Sequence, residues 1–337
     1  MKKQEKKTRV TLQQVAEHAG VSRATASLIV RGSSQVSKET RDKVLASMKQ
    51  LGYVYDRIAA NLRSRHSSTV GLIISEISNP FFAELLVGVH NALDREGYTV
   101  ILGTTFEDVE KQDQLISMML ESRVGGVIMT PVSGSSNDVI ERLGQWDIPV
   151  VFFAKELKGD HYDYVGVDNA RGAKMAVEYL IRQGHRRIAY LGGPADSSAR
   201  STRVAAYRQA LLEAGLEAED SLQVTSPSTR EGGVEAARQI LRLPNQPTAA
   251  LCYNDIVALG VLVGLKEEKV RPGKDFTVVG FDNIKEAEFS EPRLTTVSAF
   301  PDLVGSNAAD LLHQRMKGMD KEPQRIILEP KLIIRDS

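Results

Sequence analysis

The stretch TLQQVAEHAGVSRATAS, residues 11–27, contains two helix signals that lie almost next to each other. Thr11 is a suitable N-cap for a first helix that Gly20 ends, and Ser22 offers a second N-cap two residues later. The apolar residues that follow these caps at helical spacing are Leu12, Val15, Ala16 and Ala19, then Ala26, Ile29 and Val30. Two short helices joined by so tight a turn predict a helix-turn-helix unit.

A third helix signal follows this pair. Ser37 is an N-cap for a helix over residues 38–51, which Gly52 ends. The apolar residues expected to close a small core over the first two helices are Val44, Leu45, Met48 and Leu51. Any small helical bundle shows such caps, so spacing alone leaves open whether this bundle binds DNA.

The charge of the chain is unevenly distributed. The 43 basic and 43 acidic side chains balance overall. Residues 1–66 hold 14 basic and 5 acidic side chains, a net charge of +9, whereas residues 67–337 hold 29 and 38, a net charge of −9. A basic block attracts nucleic acid through counterion release, although a merely soluble tail also carries such an excess. The pattern of residues must therefore decide between these interpretations.

Length and composition limit the class of protein. A chain of 337 residues, 42% of them hydrophobic, can build more than one core. The single cysteine, Cys252, excludes an intramolecular disulfide and a Cys-x-x-Cys pair, which fits a reducing compartment. The basic N-terminal residues run into an amphipathic segment, and no window reaches the roughly 18 apolar residues of a membrane span. We therefore expect a cytoplasmic protein without a membrane association.

Beyond residue 69, short β-rich runs alternate with helical patterns. The predicted strands are residues 70–74, 100–104, 126–130, 150–153, 165–167, 188–192, 249–252 and 278–281. The predicted helices between them are residues 80–96, 170–183, 202–214, 231–241 and 256–267. Strands and helices in this alternating order predict an α/β body of parallel sheets flanked by helices, and the length allows two such sheets.

The residues that follow these strands are polar or aromatic. They are Asn79, Phe81, Phe82, Lys155, Asp168, Asn169, Arg200, Arg203, Asn254, Asp255, Asp282 and Asn283. Ligands of parallel α/β sheets bind beyond the carboxyl ends of the strands, so these side chains are expected to line a cleft. Aromatic faces and bidentate hydrogen bonds in that cleft suit a sugar or another small polar ligand.

Each of these side chains also has a plain structural interpretation. The structural roles are N-capping for Asp168 and Asp255, core packing for Phe81 and Phe82, a helical ion pair for Arg203, a solvated loop charge for Lys155 and packing for Trp146. The residue pattern alone leaves these roles open beside ligand binding.

Residues 11–27, together with Val36-Ser-Lys-Glu-Thr-Arg41 and Leu51-Gly-Tyr53, resemble the headpiece of the lac repressor/gal repressor (LacI/GalR) family. The resemblance continues along the whole chain. It implies a ligand-controlled transcriptional regulator, usually a repressor, which binds a palindromic operator as a homodimer or a dimer of dimers.

The resemblance also implies a domain organisation. Residues 1–66 would form a helix-turn-helix headpiece with a hinge helix at about 56–63, and residues 67–337 a periplasmic-binding-protein-like domain for effector binding and dimerisation. The N-lobe of that domain would take about 67–167 and 299–328, and its C-lobe about 168–298 and 329–337.

In this family the second helix enters the major groove. The implied DNA contacts are Thr11, Ser22, Arg23, Ala24, Thr25, Ser27 and Leu28, with Arg57, Ala59 and Leu62 from the hinge. Arg23 can reach guanine O6 and N7, whereas Leu28 departs from the polar residue of several relatives and can meet only a thymine methyl group, or pack against the third helix. Leu62 would insert between base pairs in the minor groove, or instead pack on the body.

The resemblance assigns an effector site as well. The implied effector-binding residues are Phe82, Lys155, Arg200, Arg203, Asn254 and Asp282. Lys155 departs from the acidic or neutral residue expected at its position, which leaves the ligand open and admits an anionic sugar. We expect a small carbohydrate-like effector.

Catalytic and cofactor motifs are absent from the sequence. It contains no Gly-x-Gly-x-x-Gly after a strand, no phosphate-binding Gly-x4-Gly-Lys-[Ser/Thr], no Gly-x-Ser-x-Gly and no His-Glu-x-x-His. Its six histidines are scattered, and none is spaced for a shared metal. We therefore expect no enzyme, no cofactor and no metal; a sugar-transport component and a Rossmann-like enzyme remain as alternatives.

Overall fold

The computed structural model of the chain describes residues 10–30, 33, 35–53, 67–159 and 161–337. The chain divides into two compact units, residues 1–66 and residues 67–337. Three helices are described in the first unit: α1 Leu12–Ala19, α2 Arg23–Val30 and α3 Lys38–Leu51. The predicted hinge helix at 56–63, with Arg57, Ala59 and Leu62, lies outside the described residues.

The helices of the first unit begin and end where the sequence predicts. Thr11 and Gln14 form a capping box, in which Thr11 N donates to Gln14 Oε1 at 2.8 Å and Gln14 N donates to Thr11 Oγ1 at 3.3 Å. Ser22 Oγ accepts a hydrogen bond from Thr25 N at 3.0 Å at the start of α2. Gly20 ends α1 with φ of 68°, a left-handed conformation that glycine adopts without steric cost.

Five buried apolar residues from the three helices form the core of this unit: Val15, Ala16, Ala26, Ile29 and Val44. The prediction that Leu45 joins this core is wrong, because Leu45 is 48% exposed. The buried residue on the same helix is Ser47, whose hydroxyl lies 3.0 Å from His18 Nδ1 on α1. A polar pair therefore completes the packing between α1 and α3.

The second unit is built from alternating strands and helices. Its strands are β1 Thr69–Ile74, β2 Thr99–Thr104, β3 Gly126–Met129, β4 Val150–Phe153, β5 Asp163–Val167, β6 Ile188–Leu191, β7 Gln223–Val224, β8 Ala249–Cys252, β9 Thr277–Asp282, β10 Thr295–Ser298, β11 Arg325–Leu328 and β12 Lys331–Ile333. Its helices are α4 Pro80–Arg95, α5 Val109–Glu121, α6 Asp138–Gly144, α7 Asn169–Arg182, α8 Ser198–Glu213, α9 Arg230–Leu241, α10 Asp255–Glu267, α11 Glu286–Phe289 and α12 Pro301–Met316.

These strands form two six-stranded sheets. The first, in the order β11-β5-β4-β3-β1-β2, is parallel throughout. The second, in the order β12-β10-β9-β8-β6-β7, is parallel except that β12 runs antiparallel to β10. We call the part built on the first sheet the N-lobe and the part built on the second the C-lobe. The chain passes between the lobes three times, after β5, β10 and β11.

The N-lobe depends on a very close approach of two helices. A Cβ atom at Gly88 on α4 would lie 2.1 Å from the carbonyl oxygen of Asp302 on α12. A Cβ atom at Gly305 on α12 would likewise lie 2.3 Å from the carbonyl oxygen of Leu85 on α4. Neither position has room for a larger residue, so the two glycines allow the C-terminal helix α12 to dock on the N-lobe.

Among the described residues, two hydrogen bonds join the lobes across the cleft between them. Glu156 N, from the loop after β4, donates to Ser198 Oγ at the start of α8 at 3.0 Å. Lys285 N, from the loop after β9, donates to Glu84 Oε1 on α4 at 3.2 Å. Both bonds connect protein groups that face each other from opposite lobes.

Two further observations concern the surface. The prediction that Trp146 packs is wrong, because this residue, which follows α6, is 66% exposed. Among the described residues, no helix is both long enough and apolar enough to cross a membrane.

Candidate DNA-binding helix and interlobe cavity

Helix α2 presents its predicted DNA contacts on the side away from the small core. Arg23 and Ala24 are exposed at its first turn, whereas Ala26 and Ile29 are buried. Leu28 is half-buried. Among the described residues, it is not one of the partly buried apolar side chains that pack against this core. This placement favours the groove-facing interpretation of Leu28 over packing.

The hydroxyl groups near the start of α2 are organised by local hydrogen bonds. Ser22 Oγ and Thr25 Oγ1 lie 2.9 Å apart. Thr11 stands at the start of α1 and Ser27 is half-buried one turn into α2. The helix end at Ser22 combines backbone N–H groups, hydroxyls and the Arg23 guanidinium, which are the groups that bind phosphates and base edges.

A cavity of about 430 Å³ lies between the lobes. Its lining includes Phe82, Lys155, Arg203, Asn254 and Asp282 from the sequence prediction. The loops that carry them follow the carboxyl ends of strands in both sheets, as expected for parallel α/β sheets. The cavity therefore brings together residues that are up to 200 positions apart in the chain.

Arg200 differs from the other predicted effector residues, since it is not part of the cavity lining. Its Nε donates to the carbonyl of Gly192 at 3.1 Å, and its guanidinium lies 5.6 Å from the centre of the Tyr190 ring. Helix α8 begins at Ser198, earlier than the predicted start at 202, so Arg200 lies in its first turn and is directed at the preceding loop.

Phe82 and its neighbour Phe81 form an aromatic wall of the cavity. Both rings are buried and meet edge to face at 5.3 Å, and Phe82 also meets Phe153 at 6.4 Å. Asn79 fixes the start of α4 by accepting a hydrogen bond from Phe81 N at 3.0 Å. Packing and cavity lining are thus both properties of the same two rings.

Arg203 is buried and held by three groups of the C-lobe. Its Nε donates to Asn169 Oδ1 at 2.8 Å, and a terminal nitrogen donates to the carbonyl of Tyr253. The guanidinium lies 3.5 Å from the centre of the Phe281 ring. These partners differ from the helical ion pair that the sequence allowed, and they hold the cation in a fixed position beside the cavity.

Asn254 and Asp255 have different roles at the start of α10. Asn254 is the N-cap, because its Oδ1 accepts from Val257 N at 3.0 Å, and its Nδ2 donates to Ser228 Oγ at 2.8 Å. The prediction that Asp255 caps is wrong: its carboxylate is fully buried and accepts from Thr296 Oγ1 at 2.5 Å and Ile284 N at 2.9 Å. The capping prediction for Asp168 is confirmed by its bond from Arg171 N at 2.9 Å.

Asp282 ends β9 at the cavity with an unusual backbone, since its φ is 123°. Burial raises the pKa of Asp282 well above its ordinary value; Arg203 partly opposes this, and the carboxylates of Asp255 and Glu84 raise it further. Burial also raises the pKa of Asp255 to about 6, against hydrogen bonds from Thr296 and Ile284 that lower it. Ionisation of one of these two carboxyl groups therefore disfavours ionisation of the other, which favours retention of a proton by the pair.

Lys155 is buried rather than solvated, contrary to its structural interpretation. Its ammonium donates to the Glu107 carboxylate, which also accepts from Ser75 Oγ and, at 3.3 Å, from Ser133 N. Burial alone would raise the pKa of Glu107, but Lys155 and these hydrogen bonds outweigh it and lower the pKa below its ordinary value. Lys155 and Glu107 thus neutralise each other at the cavity wall.

Several cavity residues near strand ends were not predicted from the sequence, among them Phe106, Glu107 and Thr130. Phe106 and Glu107 follow β2 with φ of 52° and 59°, and Phe106 is 67% exposed at the rim. Thr130 follows β3, and its buried hydroxyl has no hydrogen-bond partner among the described residues. Phe106 and Glu107 lie just beyond the predicted strand 100–104, and Thr130 is the last residue of the predicted strand 126–130. The rule that singled out Asp282 finds them only if it covers the residues on either side of each predicted strand end.

Two family models match the chain. The model described as bacterial regulatory proteins of the lacI family matches residues 11–56. The model described as periplasmic binding proteins and the sugar-binding domain of the LacI family matches residues 67–336. The chain therefore belongs to the LacI family of bacterial transcriptional regulators, and the predictions of the family and of the α/β fold with its helix-turn-helix headpiece are confirmed.

Curated relatives and solved structures extend over nearly the whole chain. The transcriptional repressor PurR of Vibrio atlanticus is 34% identical over 97% of this chain and 98% of its own, and the regulator CelR of Thermobifida fusca is 35% identical over 99% of both. The solved CelR–cellobiose complex is 34% identical with a TM-score of 0.74 and covers 98% of this chain and 100% of its own. The lac repressor dimer bound to operator and the anti-inducer ONPF is 27% identical with a TM-score of 0.85. It covers 98% of this chain and 99% of its own.

Proposed function

We propose that this regulator binds a palindromic operator as a homodimer through α2 and that a small carbohydrate effector, bound in the interlobe cavity, controls its DNA affinity. The observation that carries the proposal is the preset cavity, with aromatic walls and fixed hydrogen-bonding groups from both lobes, in a chain that also carries a helix-turn-helix unit. The CelR neighbour with cellobiose and the lac repressor dimer on its operator support both parts. We propose that this regulator acts in the cytoplasm, as a repressor and without catalysis.

The charges of the cavity favour a neutral effector. Its two cationic side chains are already engaged, Lys155 with Glu107 and Arg203 with Asn169 and the Tyr253 carbonyl. An anionic group would have to compete with the Glu107 carboxylate for Lys155. The anionic sugar that the presence of Lys155 allowed in the sequence analysis is therefore disfavoured. Polyhydroxyl ligands instead match the Asp282 carboxyl, the Asn254 amide and the Thr130 hydroxyl, which has no partner within the described part of the chain.

For the DNA interface, the proposed base-contacting residues are Arg23, Ala24 and Leu28. The proposed phosphate-binding residues are Thr11, Ser22, Thr25 and Ser27. The hinge contribution of Arg57, Ala59 and Leu62 rests on the sequence alone. Arg23, exposed at the first turn of α2, is the residue we expect to hydrogen-bond guanine.

We also propose which part of the chain carries each function. Residues 1–66 bind DNA, and residues 67–337 bind effector and dimerise. Their N-lobe comprises about 67–167 and 299–328, and their C-lobe about 168–298 and 329–337. Three crossovers between the lobes allow rotation about the cleft, which is the motion that would couple effector to operator.

DNA binding is tested by selecting a preferred sequence from a random DNA pool and measuring its affinity as a function of salt. The full chain should bind a two-fold symmetric site, with a logarithmic affinity that falls linearly with the logarithm of salt concentration. A chain without residues 1–66 should lose this binding. Equal affinity of the shortened chain would refute the assignment of DNA binding to the headpiece.

Effector binding is tested by a thermal-shift screen of neutral sugars, sugar acids and nucleobases. A ligand at about 100 times its Kd stabilises the folded protein by about 2.7 kcal/mol, which such a screen detects. We expect stabilisation by a neutral sugar and a change in operator affinity with the same ligand. Stabilisation by a nucleobase or a sugar acid alone would refute the proposed effector class.

A further inference from the structure

A second cavity, of about 700 Å³, adjoins the first. The two share four lining residues: Ala154, Lys155, Asn169 and Ala199. The N-lobe contributes the loops after β3 and β4, residues 131–137 and 154–158, and the C-lobe contributes the start of α8. The interlobe cleft is therefore longer than the proposed effector site and continues past the Lys155–Glu107 pair.

The second cavity differs chemically from the first. Aromatic rings line the first cavity, whereas the second, as far as the described residues line it, has none and is rich in hydroxyl and amide groups. Its polar groups include Ser136, Asn137 and Thr202, and the hydroxyl of Ser133 is buried without a partner among the described residues. Such a surface offers many hydrogen bonds to a hydroxylated ligand.

The charges of the second cavity balance. Of its charged residues, Lys155 is paired with Glu107 and Glu156 with Arg325, which leaves Lys158 and Asp196 with opposite charges. The lining therefore offers no excess charge of either sign to a phosphate or a carboxylate. Neutral, hydrogen-bonding groups are the ligand chemistry that this lining fits best.

We propose that the second cavity is a subsite for a further sugar unit, so that the effector is an elongated neutral saccharide of at least two rings. This inference rests on the proposed function and deepens it. One ring lies against the aromatic wall of Phe82 in the first cavity, and the next extends past Lys155 between Ser136 and Thr202. Pockets of roughly 300–1,000 Å³ hold ligands of this size.

The subsite has a consequence for control, because both lobes build it. Ser136 belongs to the N-lobe and Thr202 to the C-lobe, and the hydrogen bond from Glu156 N to Ser198 Oγ joins the lobes at its lining. A second ring in contact with both sides depends on the distance between the lobes. Its binding free energy therefore differs between open and closed arrangements, as a controlling ligand requires.

Calorimetric titration of the full-length protein tests the subsite. The probes are glucose, galactose and fructose, together with cellobiose, maltose, lactose and sucrose. The variants are Thr202→Trp and Ser136→Trp, which fill the second cavity from opposite lobes. The matched control is Ser201→Trp, an exposed neighbour on α8 that lines neither cavity.

We expect at least one disaccharide to bind about tenfold more tightly than its own monosaccharides. Thr202→Trp and Ser136→Trp should each remove this advantage while leaving monosaccharide affinity unchanged, and Ser201→Trp should alter neither. Monosaccharide binding with no gain from a second ring would overturn the subsite and leave the proposed function intact. Disaccharide binding that is insensitive to both filling variants would also overturn it, and failure of every sugar to bind would overturn the proposed function as well.

Discussion

Replacement of Asp255 by asparagine should stabilise the protein at neutral pH, although Asp255 is fully buried and hydrogen-bonded. Burial raises the pKa of Asp255 from 3.8 to about 6, so the folded protein holds its proton more tightly than the unfolded chain. Asparagine has nearly the same shape; its oxygen can accept from Ile284 N, and its amide can donate to the Thr296 hydroxyl. The substitution removes the buried charge and retains both hydrogen bonds.

The magnitude follows from linkage between protonation and folding. A carboxyl group with a raised pKa in the folded state contributes no loss of stability below pH 3.8. Its cost grows as the pH rises toward 6 and is constant above that. A rise of the Asp255 pKa from 3.8 to about 6 corresponds to about 3 kcal/mol. The Asp255→Asn protein should therefore lose about 3 kcal/mol less of its free energy of unfolding between pH 4 and pH 7 than the wild type.

Urea denaturation followed by far-ultraviolet circular dichroism, at pH values from 4 to 8, measures this difference. Asp275→Asn is the matched control, because Asp275 is exposed and ion-paired with Arg271, which lowers its pKa to about 2. Removal of that charge should give no stabilisation at neutral pH. An Asp255→Asn protein whose stability falls with pH as steeply as that of the wild type would refute the reasoning.

Three other predictions concern the two proposed sites and the fold. Arg23→Ala should relax the base preference within one half-site at a cost of about 1–3 kcal/mol, and an equal loss on all sequences in a competition assay would contradict base contact. Arg203→Ala should abolish the response of operator affinity to effector while basal operator affinity stays unchanged; a normal response would exclude Arg203 from the effector site. Gly88→Ala places a methyl group 2.1 Å from the Asp302 carbonyl oxygen and should destabilise the protein by about 1–3 kcal/mol in thermal unfolding, whereas wild-type stability would show that α4 and α12 separate freely.

The alternation of strands and helices was predictable because most strands are buried on both faces. β1, for example, is an almost uninterrupted apolar run whose residues 70–74 are all buried. β10 was missed because its buried residues include Thr295 and Thr296, whose hydroxyls take part in hydrogen bonds with distant partners. A strand that buries satisfied hydroxyl groups gives no continuous apolar signal.

The site residues were predictable where position after a strand decides their place, as for Lys155, Asn254 and Asp282. Their partners were not, because these come from distant parts of the chain. Asp255 illustrates this: adjacency to a helix suggested a cap, but its partners lie 29 and 41 positions away and come together only in the folded sheet. Arg200 lies outside the cavity lining for a simpler reason, since α8 begins four residues before its predicted start.

The two hydrogen bonds that cross the cleft, from Glu156 N to Ser198 Oγ and from Lys285 N to Glu84 Oε1, join protein groups to each other. Each contributes roughly 0.5–1.5 kcal/mol, and more where a carboxylate accepts. This free energy is available to the closed arrangement whether or not a ligand binds. Where the open arrangement would otherwise dominate, this free energy brings the population ratio of open and closed molecules nearer to balance than in a protein whose lobes touch only through their ligand. A weakly discriminating effector can then move most molecules from one arrangement to the other, because the required difference in affinity scales with the initial imbalance. Loss of either bond would leave the cavity residues unchanged and still raise the effector concentration at which the operator responds.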